Sequence, residues 1–164
     1  MSESLENFTN IVKEDIKEAK TLFFSEAFKE EYLKDQREEK ELYHQLLLGR
    51  NRNQILEEFL LSSGQKKPVL LSAAKTIYQA TITNLDEPLE IKVKREGWGY
   101  LVGRIKSDGT FLSLHKNTFQ AEDFEDGTLT IYADMKTIPK DGDIDHLIIQ
   151  TVYQTLQIEV VYKE

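Results

Sequence analysis

The hydrophobic pattern of this 164-residue chain changes its period once, between Gly64 and Pro68. Before this point apolar residues recur every three or four positions, which is typical of helices that bury one face. After it apolar and polar residues alternate and turn residues recur at short intervals, which is typical of antiparallel strands. We therefore predict an α+β protein, with a helical segment over residues 1–65 and an all-β domain over residues 66–164.

The first part of the helical segment contains neither Gly nor Pro over residues 5–48, which favours helix. Asp35 and Glu38 have the spacing of a capping box, so a second helix is predicted to begin at Asp35 and to end before Gly49. A single helix over residues 5–48 is the alternative, but it would be roughly 65 Å long. We therefore favour a helical hairpin, whose first helix buries one stripe of five residues: Val12, Ile16, Ala19, Phe23 and Ala27.

A short third helix is predicted over residues 53–61. Either Asn51 or Asn53 can cap its first turn, and Gly64 follows its end. The apolar spacing in this helix predicts that Glu57 and Glu58 face the solvent. Helices this short are marginal when isolated, so the two or three helices of the segment must pack together or on the β domain.

Seven strands are predicted in the second part of the chain. Asp-Gly pairs at 108–109, 126–127 and 141–142 supply tight turns between them. Seven short strands with turns every 8 to 12 residues or so are typical of an immunoglobulin-like or fibronectin-like antiparallel sandwich, which we favour over a barrel. The predicted strands are 77–85, 89–94, 100–107, 110–114, 128–133, 146–151 and 156–162.

The composition argues against several kinds of partner and chemistry. The net charge is -8, from 21 basic and 29 acidic residues, and both parts of the chain are acidic, so nucleic acid is an unexpected partner. There is no cysteine, which excludes disulfides and thiolate nucleophiles. No apolar run approaches the ~20 residues of a membrane span. The first residues also lack the pattern of a signal peptide, so we expect a cytoplasmic protein without membrane insertion.

One family resemblance accompanies these patterns. It is carried by the residues of 95–100 (Arg-Glu-Gly-Trp-Gly-Tyr), by Phe111 and Leu112, by 121–124 and by 148–158. Over residues 69–164 the chain resembles β-sandwich domains in long uncharacterised proteins of clostridial and related Gram-positive bacteria. The resemblance implies a module within a larger protein of unknown function, and it brings no catalytic residues.

The densest set of ligand-type residues is Asp141, Asp143 and Asp145, followed by His146. In a strand these three carboxylates would share one face and could supply oxygens to Ca²⁺. The order lacks the Gly and Glu of an EF-hand loop. A solvated hairpin connection is therefore the favoured interpretation, with Ca²⁺ binding as the alternative.

Trp98 is the only tryptophan and stands between two glycines. If its ring were exposed beside Tyr100 and Phe111, the three rings could stack on a sugar or hold a partner residue. Trp98 could instead fold back to close one end of the sandwich, which we favour because large rings are buried on average.

No catalytic constellation is visible. The three histidines, His44, His115 and His146, fall in different predicted elements, and no residue pattern joins one of them to a nucleophile. We therefore expect no enzyme and no cofactor. The predicted function is a non-catalytic interaction or spacer module of a larger bacterial protein, with protein as its partner. The alternative is a carbohydrate-binding module that uses Trp98, Tyr100 and Phe111.

Overall fold

The computed structural model describes residues 3–164 and divides the chain into two compact units. The helical unit is the chain up to Pro68 together with Trp98–Tyr100. The β unit comprises Val69–Gly97 and Leu101–Glu164. The predicted order of helices followed by strands is confirmed.

The helical unit contains more helices than predicted among the described residues. The predicted first helix is broken twice, which makes the expectation of two or three helices wrong. Asp15 ends one helix and accepts a hydrogen bond from the backbone N–H of Glu18, 3.1 Å away, so it caps the next. A second break follows Phe23. The helices are α1 (Glu3–Glu14), α2 (Ile16–Phe23), α3 (Ala27–Tyr32), α4 (Arg37–Leu46) and α5 (Arg52–Ser62).

These breaks change which residues are buried. Ile16 and Ala27, predicted to lie in the buried stripe, are exposed because each stands in the first turn of a new helix. Five aromatic rings occupy the centre of the core of the helical unit instead. The centroids of neighbouring rings are 4.7 to 6.1 Å apart. The five residues are Phe8, Phe23, Phe28, Tyr43 and Phe59.

The two predicted caps have different outcomes. Gln36, rather than Asp35, is the N-cap of α4, and no side chain caps that end, so the predicted capping box is wrong. Asn51 caps α5 by accepting a hydrogen bond from the backbone N–H of Gln54, at 3.1 Å, which confirms one of the two predicted alternatives. None of the helices within residues 3–164 is long and apolar enough to cross a membrane.

The β unit contains nine strands, two more than predicted. The additions are Leu70–Ala73, which the sequence placed in a connection, and Thr118–Gln120. The strands are β1 (Leu70–Ala73), β2 (Ile77–Ala80), β3 (Leu89–Glu96), β4 (Val102–Ser107), β5 (Leu112–Leu114), β6 (Thr118–Gln120), β7 (Thr128–Met135), β8 (Ile144–Gln150) and β9 (Thr155–Tyr162).

The strands form two sheets, in the orders β1-β3-β7-β5 and β2-β9-β8-β4-β6. With β2 and β6 set aside, the other seven strands have the order of an immunoglobulin sandwich, in which the first, second, fifth and fourth strands form one sheet and the remaining three form the other. β2 pairs in parallel with β9, so the expectation of a wholly antiparallel sandwich is wrong at this one pair. Buried aliphatic and aromatic residues of both sheets fill the space between them.

Two glycine positions illustrate how local sequence sets this architecture. Asp126 and Gly127 both have positive φ angles, 51° and 78°, and the flanking Glu125 and Thr128 exchange backbone hydrogen bonds of 2.8 and 2.9 Å. This is the tight turn predicted from the Asp-Gly pair. At Gly103, a Cβ atom would lie 2.2 Å from the Phe119 ring, so close pairing of β4 with β6 requires glycine there.

Candidate functional site

The acidic segment predicted as a Ca²⁺ site lies between β7 and β8. Asp141 and Asp143 precede β8 in a turn, where alternating positions do not share one face. The Asp141 carboxylate accepts a hydrogen bond from the backbone N–H of Glu164, at 3.1 Å, and Asp143 accepts one from that of Lys140, at 3.0 Å. Across residues 3–164 no group of three or more ligating side chains is placed to hold a metal ion. Calcium binding by Asp141, Asp143 and Asp145 stays a prediction.

Asp145 has a different environment from the other two aspartates, because it is fully buried. One of its carboxyl oxygens accepts backbone hydrogen bonds from both Phe111 and Leu112, at 2.9 Å each. Its carboxyl group also hydrogen-bonds to Asp108. Burial raises the pKa of Asp145, while the hydrogen bond from Asp145 lowers the pKa of Asp108. Burial and the neighbouring carboxyl group therefore favour the proton on Asp145 rather than on Asp108.

His146 extends this group to the protein surface. Its Nδ1 lies 2.7 Å from the Asp108 carboxylate, and its Nε2 lies 3.9 Å from that of Glu159. The hydrogen bond to Asp108 raises the pKa of the His146 imidazole. Thr110 completes the set by donating its hydroxyl to Asp108 at 2.9 Å. We call these five residues the Asp108 cluster: Asp108, Thr110, Asp145, His146 and Glu159.

The geometry of the Asp108 cluster limits its chemistry. The Thr110 hydroxyl donates to Asp108, so it is not aligned with His146 as a nucleophile on its base would be. What Asp145 does hold is the backbone N–H groups of Phe111, Leu112 and His146. The cluster thereby links the turn after β4 and the start of β5 to the first residues of β8 by hydrogen bonds.

Part of this cluster is visible in the sequence. The local pattern marks Asp145 and His146 as potential ligands and does not connect them with Asp108. For Asp108 it indicates only the first residue of an Asp-Gly turn. The pairing of a turn with a distant strand leaves no local periodicity, so no signal in a single sequence could have joined them.

Trp98 lies in the helical unit, where two lysines contact its half-buried ring. The ammonium groups of Lys13 and Lys66 lie 5.1 and 4.5 Å from the ring centroid, within the range of cation–π contacts. Lys66 also donates to the Trp98 carbonyl oxygen and forms an ion pair with Glu57. The Lys66 and Glu57 side chains are 1% and 3% exposed, so the prediction that Glu57 faces the solvent is wrong. The buried ammonium of Lys66 is the reason that a helical glutamate can be buried here.

The other two predicted ring positions differ from Trp98. The Tyr100 hydroxyl, also in the helical unit, accepts a hydrogen bond from the Asn51 side chain at 3.4 Å. Phe111 is 1% exposed in the core of the β unit, where its ring meets that of Tyr162 edge to face. The alternative in which Phe111 belongs to an exposed row of rings is wrong, because Asp145 holds its backbone next to the buried start of β5.

The chain is a helical region followed by an immunoglobulin-type β-sandwich, in which the Asp108 cluster holds the turn after β4. Residues 2–164 match the model of the N-terminal family of unknown function DUF5717, and the chain belongs to this family. The predicted resemblance to a family of unknown function is thereby confirmed. No curated protein matches the sequence.

Solved structures with a similar arrangement are remote. Domains 4 and 5 of the S-layer protein SbsC align at 11% identity with a TM-score of 0.41, over 58% of this chain and 51% of that one. The apo form of the Calx CBD1 domain aligns at 11% identity with a TM-score of 0.39, over 58% of this chain and 98% of that one. The E. coli chaperone DraB aligns at 7% identity with a TM-score of 0.40, over 58% of this chain and 54% of that one. This chain therefore spans about half the length of the SbsC and DraB chains it aligns with.

Proposed function

We propose that this chain is a non-catalytic protein-interaction module of a larger bacterial protein. The description of its family as an N-terminal region supports a place in a longer chain. The proposal assigns no reaction to the Asp108 cluster, whose polar atoms bind backbone groups of the fold. It assigns the interaction to the turn between α4 and α5.

The observation that carries this proposal is an exposed apolar pair in a basic setting. Leu47 and Leu48, at the end of α4, are 37% and 86% exposed. Arg50 and Arg52 follow them and are also exposed. Residues 42–56 contain no Asp or Glu, although the whole chain carries a net charge of -8. We call residues 47–52 the Leu48 turn.

The chemistry of the Leu48 turn indicates the kind of partner. Full burial of a leucine side chain stabilises a complex by about 1.5 to 3 kcal/mol. Arginine favours carboxylates because its planar guanidinium can form two parallel hydrogen bonds with one of them. The expected partner surface is therefore a protein pocket with an apolar floor and an acidic rim.

Quantitative affinity purification of the full-length protein from its source cells tests the proposal. Leu48→Ser should reduce recovery of the bound partner by about tenfold or more, since about 1.4 kcal/mol of binding energy corresponds to a factor of ten. Val152→Ser is the matched control, because Val152 is 65% exposed in the β unit. Equal recovery with Leu48→Ser, Val152→Ser and wild type would contradict the proposal.

A further inference from the structure

The two outer faces of the β-sandwich differ in character. The four-stranded sheet presents Glu90, Lys92, Lys94 and Glu96 from β3, all exposed, as expected for a sheet face in water. The five-stranded sheet presents five aliphatic side chains on its outer face. They are Ile77, Val102, Ile144, Ile148 and Val161.

Strand register places these five residues on one surface. Val161 is the direct partner of Ile144, and Ile148 stands two outward positions along β8 from it. Ile77 and Val102 lie on β2 and β4, at either side of β9 and β8. Three of the five are substantially exposed: Ile77 at 57%, Ile144 at 41% and Val102 at 37%. The five residues extend along the face from the Ile144–Val161 pair to Val102 beyond the Arg104–Gln150 pair, and exposed aliphatic residues on a solvated sheet face can mark an interaction surface.

Basic and acidic side chains on this outer face lie on different strands. Arg104 and Lys106 project outward from β4, whereas Glu159 projects outward from β9 and faces His146 of the intervening β8 at 3.9 Å. Lys106 pairs with Ile148, and Ile148 pairs with Gln157 next to Glu159 on the same face of β9. Basic groups of β4 and the acidic group of β9 therefore lie on opposite sides of β8, whose outward residues alternate between isoleucine and the polar His146 and Gln150.

We infer that the outer face of the five-stranded sheet binds a second copy of this chain. A two-fold axis in the plane of the face, close to Ile148, would bury the aliphatic residues of both copies against each other. It would also bring Glu159 of each copy towards the basic β4 residues of the other, since an isologous contact repeats each pairing twice. The face is thus complementary to itself in both hydrophobicity and charge. This inference goes beyond the proposed function, because it uses a different surface and a different partner.

Sedimentation velocity of the purified chain, over concentrations from about 5 to 200 µM, tests this inference against the μM to mM affinities of weak interfaces. The wild type should shift from monomer towards dimer as concentration rises. Glu159→Lys and Lys106→Glu should each weaken dimerisation about tenfold or more. An equimolar mixture of the two variants should restore it as a heterodimer, because each altered charge then meets its opposite.

The controls separate this surface from general charge effects and from misfolding. Glu90→Lys and Lys94→Glu make the same charge changes on the four-stranded face and should leave dimerisation unchanged. Ile77→Ser removes an exposed apolar side chain on the edge strand β2 and should weaken dimerisation with the charges intact. Circular dichroism and thermal unfolding of every variant establish that it is folded.

Three results would overturn the inference: a monomer at every concentration, equal effects of the control charge changes, or failure of the mixture to restore the dimer. These results are distinct from a failure of the proposed function. A monomeric chain that still recovers its partner through the Leu48 turn would overturn self-association alone. A dimer whose partner recovery does not depend on Leu48 would overturn the proposed function alone.

Discussion

Among single residues, Asp145 is a fully buried carboxyl that joins two distant parts of the β unit by hydrogen bonds. Its carboxyl accepts two buried backbone N–H groups, from Phe111 and Leu112. Asp145→Ala leaves both donors unsatisfied, and we expect it to lower the free energy of unfolding by about 3 kcal/mol. Asp145→Asn keeps an acceptor oxygen for these donors and an N–H for Asp108, so we expect it to cost about 1 kcal/mol or less. Urea denaturation measures both, and equal losses in the two variants would contradict the role given to Asp145.

The histidine of the Asp108 cluster makes stability depend on pH. Its pKa in the folded protein is raised above the ordinary value of 6.5 by Asp108, with smaller contributions from Glu159 and Asp145. A raised pKa means that the folded state binds the proton more tightly. The stabilisation is therefore fully present below pH 6.5 and is lost as pH rises through the folded pKa. The pKa of Asp145 is also raised, so its stabilisation is likewise lost as pH rises. The lowered pKa of Asp108 adds a loss of stability only as pH falls under acid conditions.

Urea midpoints measured from pH 5.5 to 9 check this dependence. The wild type should become less stable as pH rises above 6.5, and His146→Gln should remove most of this slope. His44→Gln, on an exposed position of α4, is the matched control and should retain it. A slope that survives in His146→Gln would show that another group carries the proton.

Residue-scale prediction from sequence succeeded where local pattern determines the environment. The cap at Asn51 is confirmed, because it lies within the first turn of the helix that it caps. Prediction failed at Glu57 and Phe111, whose environments depend on Lys66 and Asp145 from other parts of the chain. The environment of a charged or aromatic side chain depends on its contact partners, and a single sequence does not identify these partners.

At the scale of elements, the pairing of β4 with β6 depends on one glycine. A Cβ at Gly103 would lie 2.2 Å from the Phe119 ring and 2.6 Å from the carbonyl oxygen of Gln150. The backbone oxygen cannot move away as a flexible side chain could. We therefore expect Gly103→Ala to destabilise the β unit by about 3 kcal/mol, at the upper end for overpacked cores. Thr118→Ala, exposed on β6, is the control, and a thermal shift as small as that of the control would contradict this assignment.

Two helix breaks and two strands were not predicted from the sequence, because none of them has a clear local pattern. The breaks at Asp15 and after Phe23 contain neither Gly nor Pro, so only a side-chain cap and tertiary packing mark them. β1 follows Pro68 with three consecutive apolar residues, a pattern that does not alternate. β6 is three residues long, too short to show a period. Strands such as β3 and β9, which are eight residues long and alternate cleanly, were predicted within two residues of their bounds.

At the scale of the whole molecule, each unit has its own buried core, one built on aromatic rings and the other on two sheets. Exposed apolar residues lie on the Leu48 turn and on the outer face of the five-stranded sheet. We therefore assign function to these surfaces, and we expect above all that the Leu48 turn contacts a partner protein.

The most direct test is site-specific photocrosslinking in cells of the source organism, with a photoreactive amino acid placed in the full-length protein. We expect position 48 to give one defined crosslinked protein species, which Arg50→Glu reduces about tenfold because it reverses a charge facing the acidic rim. The same photoreactive residue at position 152, exposed in the β unit, should not give that species. The absence of any defined product at position 48, or an identical product at both positions, would contradict the account.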